Sequence, residues 1–170
     1  MVREIILLGN PKLYEASSVI QKEEVESLKE VINDLHDTLM DFRKRHGAGR
    51  AIAAPQIGVF KRLIYMYIDK PVVFINPILH FEDGEIMEVL DDCMSFPELL
   101  VKVKRYKRCT IEYKDMDFNN NKIKLEGDLS ELLQHEYDHL DGILATMRAI
   151  DEKSFILKSQ KDFLIGRMYT

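Results

Sequence analysis

The segment His135-Glu136-Tyr137-Asp138-His139 constrains this chain more than any other feature of the sequence. Residues four apart lie on one face of an α-helix, so His135 and His139 can both direct a ring nitrogen at one metal ion. Glu136 follows the first histidine, where its carboxylate can reach a water molecule at the metal rather than the metal itself. The pattern therefore predicts a helix that carries a catalytic metal site. The competing interpretation is two ordinary helix histidines.

The residues around this motif predict where the helix begins and ends. Asp128 is a good N-cap residue, and Glu131 three positions later completes a capping box. Gly142 is expected at the C′ position, where glycine commonly ends a helix. Between these residues, apolar side chains recur at helical spacing at Leu129, Leu132, Leu133 and Leu140. We therefore expect one face of this helix to be buried.

Length and charge set the class of protein. With 170 residues, 46% hydrophobic and 31% charged, the chain has the composition of a globular protein, and we expect residues 1–170 to form a single domain. The formal net charge of −5 argues against a nucleic-acid partner, because such binding depends on clustered basic residues. The basic run at residues 102–108 is interpreted as the solvent-facing side of a strand.

Cysteine usage and hydropathy indicate the cellular compartment. Two cysteines, Cys93 and Cys109, do not make a disulfide framework. No apolar run approaches the roughly 20 residues that cross a bilayer, and the N-terminal segment has too short an apolar core for a signal peptide. We therefore expect no membrane partner and a reducing cytoplasm, where a thiolate is free to bind metal.

Periodicity along the chain predicts an α+β fold. Residues 3–20 are expected to form an extended arm, and residues 22–46 an amphipathic helix in which His36 and His46 are surface or packing residues. A final amphipathic segment, residues 152–165, is expected to pack Phe155, Ile156, Phe163 and Leu164 on a sheet. Strands are predicted at residues 62–68, 72–75, 78–82, 99–106, 108–113 and 122–126. Strands and helices do not alternate regularly, which favours α+β over α/β.

Two histidines do not complete a catalytic metal site, which typically has three protein ligands. Ala145 stands where one class of zinc proteases carries a third histidine. Asp151 and Glu152 are acidic candidates, but they follow the helix closely. Cys93 is the better candidate, because it lies between two acidic residues and a Ser-Phe-Pro stretch, an unusual place for a core residue. Cys109, inside a predicted strand, is interpreted as a small buried side chain.

Three segments in order resemble the peptide deformylase family. Residues 49–56 resemble its G-x-G-L-A-A-P-Q pattern, residues 91–95 resemble E-G-C-L-S, and residues 134–142 match Q-H-E-x-D-H-L-x-G in full. Residues 9–13 are similar to the N-terminal arm of the family. The resemblance covers nearly the whole chain. It implies short, mostly antiparallel strands packed around the buried helix that carries the histidines, with an N-terminal and a C-terminal helix.

The resemblance also implies a cofactor and a reaction. Cys93, His135 and His139 would bind one divalent metal ion, Fe(II) natively, with Zn, Ni or Co able to replace it. The enzyme would be a metal-dependent amidase that hydrolyses the N-formyl group from the formyl-methionine of nascent polypeptides and releases formate. The alternative is a related metalloprotein that acts on another formyl or acyl amide or has little activity.

The resemblance assigns roles to the remaining site residues. Glu136 would take a proton from water and deliver it to the leaving amine. The Gln56 amide and the backbone N–H of Met94 would stabilise the oxyanion. Asp138 is expected to tether the structure around the metal helix.

The substrate-binding residues implied by the resemblance are Gly49, Ala51 and Asp92. Ala51 and Asp92 replace family glycines, and Leu100 replaces an arginine that many members carry after the cysteine motif. The implied partner is a formyl-methionyl peptide, met at the ribosome, and the implied assembly is a monomer or weak homo-oligomer.

Overall fold

The computed structural model describes residues 1–168. The helices of this part of the chain are α1 (Leu28–His46), α2 (Asp128–Leu140) and α3 (Lys161–Met168). Its strands are β1 (Ala51–Ala53), β2 (Leu63–Tyr67), β3 (Pro71–His80), β4 (Ile86–Asp91), β5 (Leu99–Tyr106), β6 (Arg108–Lys114), β7 (Asn120–Glu126) and β8 (Phe155–Leu157). None of these helices is both long enough and apolar enough to span a lipid bilayer.

The strands form two antiparallel sheets. One has the order β1-β2-β3-β6-β7 and the other the order β4-β5-β8. Because β5 and β6 follow one another in the chain but belong to different sheets, residue 107 marks the step from one sheet to the other. The predicted α+β class, with mostly antiparallel strands and helices towards both termini, is confirmed.

The metal-binding motif lies on α2, which packs against β1, β5 and β7. Leu133 and Leu140 are fully buried on this helix, against Ile64, Phe74 and Ile111 of the five-stranded sheet. With 13 residues, α2 would be only marginally stable as an isolated helix. Its packing against the sheet stabilises it, by about 25 cal/mol for each Å² of apolar surface that is buried. The motif is therefore presented from a rigid, internal element.

The predicted helix at residues 22–46 is correct for its larger part. Residues Lys22–Ser27 form a 3₁₀ turn rather than α-helix, and α1 ends at Gly47 in the left-handed conformation (φ 69°). The prediction for residues 152–165 is wrong in its first part. Phe155 and Ile156 belong to β8, which pairs with β5, and α3 begins only at Lys161. Phe163 is 71% exposed and so does not pack on the sheet.

Two strand predictions also need correction. The strands predicted at residues 72–75 and 78–82 form one strand, β3, which has an irregularity between Ile75 and Ile78 and ends at His80, so that residues 81–82 lie outside it. Asn76 lies at this irregularity with φ 49°, and its amide exchanges two hydrogen bonds of 2.8 Å with the backbone of Ile20. Strand β4 was not predicted, and it leads directly to Asp91 and Cys93.

The N-terminal arm lies against the segments that build the site. The backbone N–H of Ile6 donates to the carbonyl of Gln56, and that of Leu8 donates to the carbonyl of Ser95. Gly142, at the predicted C′ position with φ 70°, lies so close to the arm that a Cβ there would collide with the carbonyl of Tyr14. The end of α2 and the arm therefore fit together only because residue 142 is glycine.

Candidate metal centre

Helix α2 begins one residue from where the sequence places its cap. The N-cap position is Gly127, with φ 61°, and Asp128 is the first helical residue. The predicted capping box between Asp128 and Glu131 does not form, because the Glu131 carboxylate turns instead towards Arg50, 3.4 Å away. His135 and His139 lie one turn apart on the buried side, as the motif predicts.

Cys93, His135 and His139 bring their donor atoms together. Each side chain is at most 7% exposed, and the three ligand atoms lie within 4.8 Å of one another. Nε2 of His139 is 3.2 Å from Nε2 of His135 and 3.3 Å from Sγ of Cys93. Tetrahedral bonds of ordinary length to one ion would separate two nitrogens by about 3.3 Å and a nitrogen from a sulfur by about 3.6 Å. The donor set therefore fits a single metal ion.

The two histidines are held differently. Nδ1 of His135 is 3.0 Å from Oδ2 of Asp91, which orients the ring so that Nε2 faces the other donors. Burial lowers the pKa of His135, but Asp91 and Cys93 raise it well above its ordinary value. Burial lowers the pKa of His139 well below its ordinary value, which favours the neutral imidazole that ligates a metal.

A buried arginine links the second sheet to α2. Arg105 on β5 is 4% exposed and donates to Asp91 and to Asp138, each at 2.7 Å. Burial raises the pKa of Asp91, yet His135 and Arg105 outweigh it and lower that pKa to about 2. Asp91 is therefore a fixed anion between Arg105 and His135. Asp138 also accepts from Arg148, at 2.6 and 2.9 Å.

Glu136 is buried beside the ligand cluster. Its side chain is 4% exposed, and its Oε2 atom is buried without a hydrogen-bond partner among the described residues. Burial raises the pKa of this carboxyl to about 7. A buried carboxylate without a partner is costly, so Glu136 is available to accept a proton.

The residues predicted as oxyanion donors lie next to Cys93. The Gln56 amide nitrogen is 3.6 Å from Sγ of Cys93 and 3.1 Å from Oγ of Ser95, while its amide oxygen accepts from the backbone N–H of Ala53. These contacts orient the Gln56 amide so that its nitrogen, and not its oxygen, faces the ligand cluster. Met94 follows Cys93 directly and lines the adjoining cavity.

A cavity of about 280 Å³ opens beside the ligand cluster. Three buried residues of the site, Cys93, His135 and Glu136, line it. The three predicted substrate-binding residues, Gly49, Ala51 and Asp92, also line it, as do Phe42, Ala48, Arg50, Asp91, Met94, Glu131, Leu132 and Lys158. The cavity can therefore hold a chain that reaches the metal centre from outside.

Other candidates from the sequence lie elsewhere. Asp151 accepts from the backbone N–H of Lys153 and the hydroxyl of Ser154, outside the donor cluster, and Glu152 is exposed on the same turn. Leu100 is buried in β5 opposite Ile156 and is not among the residues that line the cavity. An effect of Leu100 on peptide binding would therefore be indirect.

The histidines and the cysteine that were set aside as ligands also lie outside the cluster. His36 contacts Tyr65 and His46 stacks on Phe42, both from α1. Cys109 is buried against Ser130, and burial raises the pKa of its thiol.

Sequence reasoning missed Arg105. The basic run at residues 102–108 was interpreted as a solvent-facing side, which holds for Lys102 and Lys104 but not for Arg105. Because side chains alternate along a strand, Arg105 shares the inward face with Val101 and Val103, both fully buried. This alternation was the signal that could have identified the arginine as internal.

Comparison with known proteins agrees with this arrangement. The family described as Polypeptide deformylase matches residues 2–155. A peptide deformylase of Dictyoglomus thermophilum is 36% identical over 153 residues, covering 89% of this chain and 95% of the relative. The crystal structure of peptide deformylase from Thermotoga maritima has a TM-score of 0.78 at 32% identity and covers 89% of this chain and 99% of that one.

A further solved structure is that of an Acinetobacter baumannii class I type b peptide deformylase with actinonin bound. It has a TM-score of 0.79 at 26% identity and covers 87% of this chain and 98% of the other. Sequence, fold and the Cys-His-His cluster thus agree, and the chain belongs to the peptide deformylase family.

Proposed function

We propose that this protein hydrolyses the N-formyl group from the formyl-methionine end of nascent polypeptides, giving formate and a free amine. The observation that carries the proposal is the buried cluster of Cys93, His135 and His139, beside a cavity that Glu136 also lines, with Oε2 of Glu136 buried and without a hydrogen-bond partner among the described residues. Membership of the family supports the same reaction.

The cofactor we propose is one Fe(II) ion, with Zn, Ni or Co able to replace it. A thiolate with two imidazoles suits several of these ions, and the resemblance of the sequence to the family favours iron. When bound, the ion supplies Lewis-acid activation of water at neutral pH. Elemental analysis of protein purified without oxygen tests the choice: iron as the main metal supports it, and zinc as the main metal contradicts it.

The protein's own residues would handle protons and charge. Glu136 accepts a proton from the attacking water at its free Oε2 atom, and a pKa of about 7 suits both this step and the return of the proton to the leaving amine. The Gln56 amide, fixed by Ala53 and Ser95, and the backbone N–H of Met94 stabilise the negative oxygen that develops on the formyl carbon. Gly49, Ala51 and Asp92 position the peptide.

The assembly we propose is simple. Residues 1–170 form one catalytic domain that acts on new chains in the cytoplasm, at the ribosome, as a monomer or weak homo-oligomer. Residues as far apart in the sequence as Phe42 and Lys158 line one cavity, which supports a single unit. Size-exclusion chromatography with light scattering tests the oligomeric state, and a stable dimer or larger assembly at micromolar concentration would contradict it.

A second candidate function has specific support. Ala51 and Asp92 line the cavity where the family pattern has glycines, so another formyl or acyl amide could be the substrate. Release of the free α-amine from formyl-Met-Ala-Ser, with acetyl-Met-Ala-Ser as the matched control, separates the two, because this product reports hydrolysis of either peptide. Rapid turnover of the formyl peptide alone supports the proposed function, whereas comparable turnover of the acetyl peptide or none of the formyl peptide supports the second.

A further inference from the structure

One wall of the cavity is a segment without regular secondary structure. Residues 47–50 connect α1 to β1, and the four consecutive residues 48–51 all line the cavity. Gly47 and Gly49 both have positive φ, 69° and 132°. Glycine loses more conformational freedom on folding than any other residue, so contacts from outside the segment must keep its backbone in place.

Arg43, in the last turn of α1, supplies such contacts. Its Nε and Nη2 atoms donate to the carbonyl oxygen of Gly49 at 2.9 and 2.8 Å, and Nη2 also donates to the carbonyl oxygen of Tyr67 at 2.5 Å. The guanidinium carbon lies 5.7 Å from the centre of the Tyr67 ring, within the range of a cation–π contact. A planar guanidinium with several fixed donors can hold both carbonyl oxygens at once.

Tyr67 lies where the pairing between β1 and β2 ends. Its backbone N–H donates to the carbonyl of Arg50 at 2.9 Å, one residue before Ala51, the first residue of β1. In the order of the five-stranded sheet β1 stands at the edge, next to β2 alone. Arg43 therefore joins the wall segment to the sheet at the point where the strand pairing stops.

The wall segment also lies close against α1. A Cβ at position 49 would be 3.3 Å from Cδ1 of Leu39 and 3.4 Å from Cδ1 of Phe42, so the backbone of Gly49 rests on the buried side of the helix. Phe42 lines the cavity as well. The hydrogen bonds from Arg43 to Gly49 thus set the distance between two parts of the cavity lining.

We propose that Arg43 is a positioning residue that holds residues 48–51 in the conformation that binds the peptide. Arg43 is not among the residues that line the cavity, so it acts through the carbonyl of Gly49. If the wall adopts the binding conformation only part of the time, the apparent affinity falls in proportion to that fraction. The inference rests on the proposed deformylase reaction and adds a residue that determines how tightly its substrate binds.

The kinetic test is Arg43→Met, which removes the donors and keeps a long side chain. We expect KM for formyl-Met-Ala-Ser to rise by about 5- to 20-fold while kcat changes by less than about twofold, because the variant loses binding and not the chemical step. The three metal ligands and Glu136 lie outside this wall segment, so metal content should stay at the wild-type level. Arg43→Lys, which keeps one donor nitrogen, should give a smaller rise in KM.

Hydrogen exchange of the Tyr67 amide gives a readout that does not depend on turnover. This amide bonds to Arg50 in the wall segment, so its exchange should be at least about tenfold faster in Arg43→Met, as local opening becomes easier. The amide of Phe74, a fully buried residue of β3 in the same sheet, should exchange at an unchanged rate.

The matched control is Arg45→Met on the same helix. Arg45 is 56% exposed, pairs with Asp41 and does not line the cavity, so KM and Tyr67 exchange should stay at wild-type values. A fall in kcat with KM unchanged, an unchanged exchange rate of Tyr67, or an equal rise in KM in Arg45→Met would overturn the inference. If Arg43→Met does not fold, Arg43→Lys decides by the same criteria. No formate release by wild type would overturn the proposed function, and the exchange rate of Tyr67 would then decide whether Arg43 holds the wall.

Discussion

Replacing Arg105 by leucine tests how the metal centre is supported. The guanidinium is 3% exposed and bridges two buried carboxylates, Asp91 and Asp138. Removing one partner of a buried ion pair costs about 3 to 5 kcal/mol, because it leaves a buried charge uncompensated. Each carboxylate keeps one other partner, His135 or Arg148, so we expect the lower end of that range.

The assay is thermal unfolding of metal-free protein in a chelator, so that bound metal does not add to stability. In a chain of this size a loss of about 3 kcal/mol lowers the Tm by roughly 6 to 12 °C. Because Asp91 would also hold His135 less firmly, metal affinity should fall by about 10- to 100-fold.

Arg108→Leu is the matched control for Arg105. Arg108 also pairs with several acidic groups, but its side chain is 38% exposed. Exposed ion pairs stabilise weakly, so the control should shift the Tm much less. Equal shifts in the two variants would show that burial of Arg105 does not set its contribution to stability, and an unchanged metal affinity in Arg105→Leu would show that it does not support the metal site.

Three further predictions concern single residues. Cys93→Ala should abolish stoichiometric metal binding, which elemental analysis after dialysis measures; one ion per chain in the variant would remove Cys93 from the ligand set. Gly142→Ala should destabilise the protein by on the order of 1 to 3 kcal/mol, since a Cβ meets the Tyr14 carbonyl and φ is 70°; an unchanged Tm would contradict the close contact. Gln56→Ala should lower kcat by about 10²- to 10³-fold with metal retained, as for loss of an oxyanion donor; a change in KM alone would assign Gln56 to substrate binding.

The helix that carries the histidines could be predicted because its signal is local. The spacing of His135 and His139 and the glycine at position 142 are read within one stretch of sequence, and the structure has both where they were expected. The grouping of Cys93 with the histidines depends on contacts across 42 and 46 residues. No periodicity indicates such contacts; the prediction of Cys93 as a ligand depends on its unusual sequence neighbours and on the similarity of three motifs to a known family.

The features that were missed depend on tertiary contacts. Glu131 satisfies the pattern of a capping box, yet Arg50, 81 residues away in sequence, draws its carboxylate to the cavity wall. Strand β4 contains Glu88 between apolar residues and follows a Gly-containing turn, and only its pairing with β5 defines it. Arg105 looks solvent-facing because it is charged, although the period of its strand places it inside.

In the proposed mechanism Cys93, His135 and His139 hold the metal, while Glu136 accepts and donates protons without binding it. The direct test measures metal stoichiometry and formate release from formyl-Met-Ala-Ser on the same anaerobic preparations of wild type and Glu136→Ala. We expect one ion per chain in both proteins and near-complete loss of turnover in the variant alone. Loss of the metal from the variant, or turnover close to that of wild type, would contradict it.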